Sequence, residues 1–189
     1  MVEKITFRDS LNAHLEAFRT LETLEKVVLK TAEDMLSRLN NGGRVFWMGN
    51  GGSAADAQHY AAELMVRYKI NREPIPSVAL TTDSSLLTAH SNDFEYETVF
   101  SRQVKAHGNS NDIFVGISTS GNSENIYLAM QEANKIGSMS VGLLGNDGGK
   151  IAEVVSHSII VDNKITANIQ ECHLIIGHFL CDYIESNFV

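Results

Sequence analysis

The sequence predicts an α/β fold: a three-layer sandwich with a five-stranded parallel sheet, helices on both of its faces, and two extra helices at the amino terminus. Three observations predict it. Short, almost wholly apolar runs recur along the chain, longer amphipathic stretches separate them, and two helical periodicities come before the first apolar run. Strands that are apolar throughout belong to a sheet covered on both faces. Their alternation with helices is the sequence form of parallel βαβ units.

The elements follow in order. Leu11, Leu15, Phe18 and Leu21 recur at helical spacing, and Val28, Ala32, Met35 and Leu39 repeat the pattern. Asn40-Asn41-Gly42-Gly43 stops the second helix. These helices, within 1–41, precede the first strand and cannot be crossovers, so they pack on the domain or on a neighbouring subunit. Strands are expected at 45–48, 77–80, 113–117, 140–144 and 158–161. Helices are expected at about 54–68, 84–91, 96–106, 123–136 and 148–155, with a last one at about 168–187. The last helix is apolar almost all round, from Ile169 through Ile175, Ile176 and Phe179 to Ile184. Such a helix is buried, here at a subunit interface, which points to an oligomer. No repeat of solenoid length and no low-complexity segment interrupts the pattern, so 1–189 is read as a single domain.

Composition narrows the function. The chain has 189 residues, 43% of them apolar and 20% charged, values of an ordinary globular domain. A formal charge of −8 without any dense Lys/Arg cluster speaks against nucleic acid or an anionic membrane as main partner. A small phosphorylated ligand stays possible, because backbone amides and hydroxyls can hold it. The segment Met1 to Asp9 is charged and lacks the apolar core of a signal peptide. No apolar run approaches the ~18–20 residues of a membrane span, so a cytoplasmic protein is expected. Cys172 and Cys181 would lie roughly 13 Å apart along one helix, too far for a disulfide. Buried free thiols in a reducing compartment are expected.

Two loops follow strands at the carboxyl edge, where open α/β sheets place ligands. Gly49-Asn50-Gly51-Gly52-Ser53 comes directly before a helix. Ser53 can be a simple helix cap. Read as Gly49-x-Gly51-x-x-Ala54, the loop also fits a dinucleotide fingerprint, with Asp83 as the acid after the second strand. Ser118-Thr119-Ser120-Gly121-Asn122-Ser123 is more telling. A capped turn needs one hydroxyl, and four within six residues at a helix start suit an anion such as phosphate. No Walker lysine accompanies it, so nucleoside triphosphate hydrolysis is not suggested.

Two further segments carry ionisable groups. His59 and Glu63, four apart, share one helical face and can form a hydrogen bond, an acid/base pair or half a metal site. In the last helix stand Gln170, Glu171, His173 and His178. His173 is read as bonded to a core carbonyl. Gln170 and His178 could join His59 and Glu63 around a metal, yet ideal helical spacing aligns Glu171 with His178 and leaves Gln170 about 80° away. Spacing does not decide between them.

Taken together, the chain resembles the sugar isomerase (SIS) domain family, and within it the isomerases of seven-carbon sugar phosphates. The resemblance spans nearly the full chain. It is carried by Gly49-Asn50-Gly51-Gly52-Ser53-Ala54-Ala55-Asp56-Ala57-Gln58-His59, Ala62-Glu63, Ala79-Leu80-Thr81-Thr82-Asp83, Asn92-Asp93, Phe100-Ser101-Arg102-Gln103, Gly116 to Ser123 and Ile169-Gln170-Glu171. It implies the SIS fold and one zinc ion per subunit at His59, Glu63, Gln170 and His178. It implies sugar and phosphate contacts from Asn50, Gly51, Gly52, Glu63, Asn92, Asp93, Ser118, Thr119, Ser120, Ser123 and Gln170. The implied reaction, with Glu63 and His178 catalytic, turns sedoheptulose 7-phosphate into D-glycero-D-manno-heptose 7-phosphate through an enediol, opening the route to the heptose of bacterial lipopolysaccharide. It also implies a homotetramer whose sites draw on adjacent subunits. One departure is visible: Asn168 stands where the family has a basic or charged residue. Arg67, one turn beyond Glu63, could place a positive charge near the sugar. The alternatives are a non-catalytic relative that binds the replication initiator and a sugar-phosphate-sensing module, neither of which needs His59, Glu63 and His178 together.

Overall fold

The computed structural model describes residues 5–188. Met1–Lys4, the start of the charged amino terminus read above, lie outside the described residues. Strands β1 (Val45–Gly49), β2 (Ser77–Ala79), β3 (Ile113–Ser118), β4 (Met139–Gly145) and β5 (His157–Val161) form one sheet in the order β2-β1-β3-β4-β5. Every neighbouring pair is parallel. The helices are α1 (Phe7–Thr20), α2 (Glu25–Asn40), α3 (Gly52–Met65), α4 (Ser84–Asp93), α5 (Val99–His107), α6 (Glu124–Ile136), α7 (Gly149–Ala152) and α8 (Thr166–Asn187).

From β1 the chain travels one way to β2 through α3. It then returns past β1 through α4 and α5 to β3, and continues through α6 and α7 to β5. Right-handed crossovers in opposite directions put α3 on one face of the sheet and α4–α7 on the other. The core follows this division. Trp47, Val115, Val141 and Ile159 pack with α2, α3 and α8, whereas Phe46, Phe114 and Leu144 pack with α5 and α6. The reversal of direction falls between β1 and β3, so the loops after these two strands border the crevice where such sheets bind ligands.

Helix α3 spans 52–65 rather than the expected 54–68. It stops because the amides of Tyr68, Lys69 and Ile70 donate to the Glu185 carboxylate at 2.7, 2.5 and 2.9 Å instead of to carbonyls one turn back. Arg67 is therefore not one helical turn beyond Glu63; it is exposed, past the helix end.

Helix α8 is not wholly buried within one chain. Its residues Ile175 and Phe179 are exposed and, with Leu21, Leu24, Val28 and Leu29, line an apolar groove. Both cysteines are free and buried, and burial pushes the Cys172 thiol up to about 11. Among the described residues no helix is long and apolar enough to cross a membrane.

Where α8 crosses α3, Gly177 faces the buried ring of Tyr60, and a Cβ there would lie 2.3 Å from the ring's Cζ. Tyr60 cannot yield easily, since its hydroxyl donates to the His173 carbonyl at 2.9 Å. Gly177→Ala is expected to cost about 1–3 kcal/mol through overpacking. The midpoint should fall by roughly 2–4 °C per kcal/mol for a chain of this size, read by thermal denaturation.

His173 is fully buried; its Nε2–H donates to the Leu144 carbonyl at 3.0 Å, and its Nδ1 has no partner. This is the core-carbonyl bond expected of it. Burial lowers its pKa from 6.5 to about 4, the bond to Leu144 only partly opposing this. The folded state thus binds the proton more weakly than the unfolded chain. The resulting stability is present above about pH 6.5 and is lost as pH falls toward about 4. Chemical denaturation at pH 7 and pH 4.5 should show stability lower by about 2–3 kcal/mol at the acid end, and His173→Gln should flatten that slope.

Candidate active site

The two loops flank the switch point and are joined across it. Asn50 and Asn125, in the first turn of α6, exchange side-chain amide bonds at 2.9 and 2.8 Å. Tyr96 donates its hydroxyl to the same Asn50 oxygen at 3.1 Å. Asn125 and Tyr96 escaped the sequence reading because nothing in the sequence marks a contact across 75 residues. Gly51, with φ of 55°, is the N-cap of α3. Ser53 lies inside the first turn and is buried, so its reading as a cap is corrected.

In the second loop the hydroxyls face one another. Ser118 Oγ lies 2.9 Å from Ser123 Oγ and 3.4 Å from Ser120 Oγ. Ser123 is the N-cap of α6, yet its hydroxyl makes no capping bond to a first-turn amide. A cluster of hydroxyls at the positive end of a 13-residue helix, with that end not capped by its own serine, is the arrangement that receives an anion. Gly121 shapes the turn with φ of 68°, and a Cβ there would lie 2.2 Å from the Gly148 carbonyl oxygen.

The Asp83 carboxylate caps α4, accepting from the Leu86 amide at 2.9 Å, which gives this acid a structural role. Asn92 and Asp93 close α4; both are exposed, and Asn92 donates its amide to Asp93 at 2.8 Å.

A second cluster lies where α3 meets α8. His59 Nε2 and His178 Nε2 are 2.8 Å apart, and Glu63 Oε1 is 3.4 Å from His59 Nε2. One ligand atom from each of the three lies within 4.8 Å of the others. Burial, and then the neighbouring His59, lower the His178 pKa against the opposing charge of Glu63. Neutral imidazole, ready to ligate or to accept a proton, is thereby favoured. Two imidazoles and a carboxylate are a donor set that suits zinc, and two facing ring nitrogens call for a shared proton or a cation between them.

The remaining candidates go elsewhere. Glu171, which ideal spacing aligned with His178, is exposed and pairs with His14 of α1. Gln170 lies over Gly52, its Nε2 placed 2.4 Å from where a Cβ of that glycine would be. Eight residues of helix, roughly 12 Å, separate Gln170 from His178, so one chain does not bring it to the triad. Asn168 is buried, its Nδ2 without a partner.

The two clusters are also apart. A Cβ at Gly145 would meet both the Thr119 carbonyl oxygen and the Ile169 side chain, so the hydroxyl loop sits at the Ile169 end of α8, with roughly 13 Å of helix between Ile169 and His178. A seven-carbon chain with bonds near 1.5 Å spans less than about 9 Å. A sugar phosphate held at Ser118–Ser123 would therefore not extend to Glu63 and His178 of the same chain.

The chain is similar to known proteins along its whole length. A family model described as SIS domain matches residues 6–145. The chain is 43% identical over 189 residues to the phosphoheptose isomerase of Helicobacter pylori (strain P12), covering 100% of this chain and 98% of that one. It is 44% identical over 187 residues to the phosphoheptose isomerase of Aquifex aeolicus, covering 98% and 96%. Among solved structures, the phosphoheptose isomerase of Neisseria gonorrhoeae superposes with a TM-score of 0.89 at 41% identity, covering 96% of this chain and 100% of that one.

Proposed function

The chain belongs to the SIS domain family and, within it, to the phosphoheptose isomerases, and we propose that it converts sedoheptulose 7-phosphate to D-glycero-D-manno-heptose 7-phosphate. The observation that carries this reading is the convergence of His59, Glu63 and His178, in a chain that also carries a loop of hydroxyls suited to phosphate. The product would enter ADP-heptose synthesis in the cytoplasm and, from there, lipopolysaccharide.

Moving a carbonyl from C2 to C1 requires a proton to leave C1 and arrive at C2. The Glu63 carboxylate takes the proton from C1, leaving an enediol, and returns it to C2. His178, its pKa lowered first by burial, accepts the proton of one hydroxyl and delivers it to the other oxygen. Ser118, Thr119, Ser120 and Ser123, with the first amides of α6, hold the phosphate. Asn50, Gly51 and Gly52 line the approach, and Asn92 and Asp93 contribute sugar contacts.

His59, Glu63 and His178 would hold zinc, which when bound polarises the substrate oxygens and stabilises charge on the enediol. Gln170, expected as a fourth donor, lies beside Gly52, which suits its role as a sugar contact. Acting as a zinc donor, it would come from a neighbouring subunit. The same reasoning supports a homotetramer with shared sites: the phosphate loop and the triad of one chain are too far apart for one substrate, and the apolar groove at Ile175 and Phe179 offers a face for assembly.

Incubation with sedoheptulose 7-phosphate, followed by NMR of the sugar, tests the reading. An aldose 7-phosphate product is expected, and no conversion by the unaltered protein would sink it. Chelation should lower turnover at least about tenfold, with zinc restoring it; unchanged turnover after verified metal removal would remove zinc from the proposal.

A further inference from the structure

The segment between α3 and β2, residues 66–76, has no regular secondary structure, yet it lies along one stripe of α8. His178, Asp182 and Glu185 stand at i, i+4 and i+7 on that helix, the spacing of a single face. Each holds one part of the segment. The Tyr68 ring lies against the His178 imidazole, with centroids 5.5 Å apart and planes at 30°. Lys69 Nζ donates to Asp182 at 2.7 Å while lying 4.9 Å from the Tyr68 ring centre. The fully buried Glu185 side chain accepts the three successive amides of Tyr68, Lys69 and Ile70 and pairs with Arg72 at 3.1 Å. Arg72 in turn donates to the Glu63 carbonyl at 3.1 Å.

A buried carboxylate is costly to desolvate, and three amides with a guanidinium are what makes it tolerable. Two apolar groups could join a loop to a helix at lower cost. What an anion adds is direction: three amides and a planar fork fix the orientation of the segment, and with it the Tyr68 ring and the backbone carrying Glu63. We infer that Glu185 is a positioning residue for the isomerase site, docking residues 68–72 so that Tyr68 restrains the His178 imidazole and Arg72 holds the end of α3 at Glu63. The inference rests on the isomerase reading of Glu63 and His178, and two of its measurements do not need the substrate.

Glu185→Gln keeps the shape and removes the charge. Tyr68→Leu removes the ring and leaves the dock. For each, kcat and KM with sedoheptulose 7-phosphate, zinc affinity by calorimetric titration, and amide hydrogen exchange at residues 68–70 are measured on the full chain. Glu185→Gln is expected to speed exchange at residues 68–70, to lower kcat about tenfold or more with KM within about twofold, and to weaken zinc about tenfold. Tyr68→Leu should reproduce the losses in kcat and zinc affinity with exchange unchanged. Faster exchange with kcat and zinc affinity intact would reduce Glu185 to a purely structural anchor and overturn the inference. Should Glu185→Gln fail to fold, Tyr68→Leu decides alone, since intact kcat and zinc affinity there overturn it equally. If the unaltered protein does not convert the sugar, the isomerase reading falls, and the zinc and exchange measurements still decide whether Glu185 positions the triad.

Discussion

Glu63→Gln is expected to lower turnover of sedoheptulose 7-phosphate by about 10²–10⁴-fold, the range for removing a general acid/base group. The amide matches the carboxylate in shape and cannot take a proton from carbon. Glu63 is partly buried on α3, its carboxylate 3.4 Å from His59 Nε2, so the substitution leaves the packing of the helix nearly unchanged. The phosphate contacts lie on a different element, and KM should therefore change little. Steady-state kinetics on the purified variant, with its folding checked by circular dichroism, make the test. Full turnover by the variant would remove Glu63 from the mechanism. Loss of zinc without loss of turnover would leave Glu63 as a ligand only.

Gly121→Ala should act at the other end of the substrate. With φ of 68° the position lies where an L-residue is strained, at about 1–2 kcal/mol. The added Cβ would also meet the Gly148 carbonyl oxygen at 2.2 Å. That oxygen belongs to the backbone leading into α7, so no side-chain rotation relieves the contact. The loop must move, and the hydroxyls of Ser118, Ser120 and Ser123 move with it. An increase in KM of about tenfold or more is expected, equivalent to about 1.4 kcal/mol of lost binding. A second measurement, inhibition by inorganic phosphate, should weaken in parallel. An unchanged KM would show that the phosphate is held elsewhere.

Local chemistry was legible where one segment carries the whole signal. The three central strands β1, β3 and β4 were readable because apolar runs on a doubly covered sheet have no wet positions to blur them. The hydroxyl loop was readable because four hydroxyls exceed what a helix cap requires. His59 and Glu63 were readable as one face because four residues are about one helical turn. Helix ends were harder. The stop of α3 depends on Glu185, more than a hundred residues away, and no local rule contains it. Spacing on an ideal helix pointed to Glu171 as the partner of His178, whereas Glu171 turns outward to His14.

The sequence by itself therefore determined the residue types, the layer architecture and the two loci of chemistry, because each is written in contiguous periodicity or composition. Only the tertiary structure decided which groups meet. It brought His178 of α8 to His59 and Glu63 of α3, through a crossing close enough to require Gly177 against Tyr60. It also set the hydroxyl loop and the triad of one chain at different heights, since a helix rises a fixed distance per residue and α8 carries His178 more than two turns away from Ile169, which lies with Thr119 against Gly145. That separation is a property of the packed elements, and no local pattern of residues encodes it.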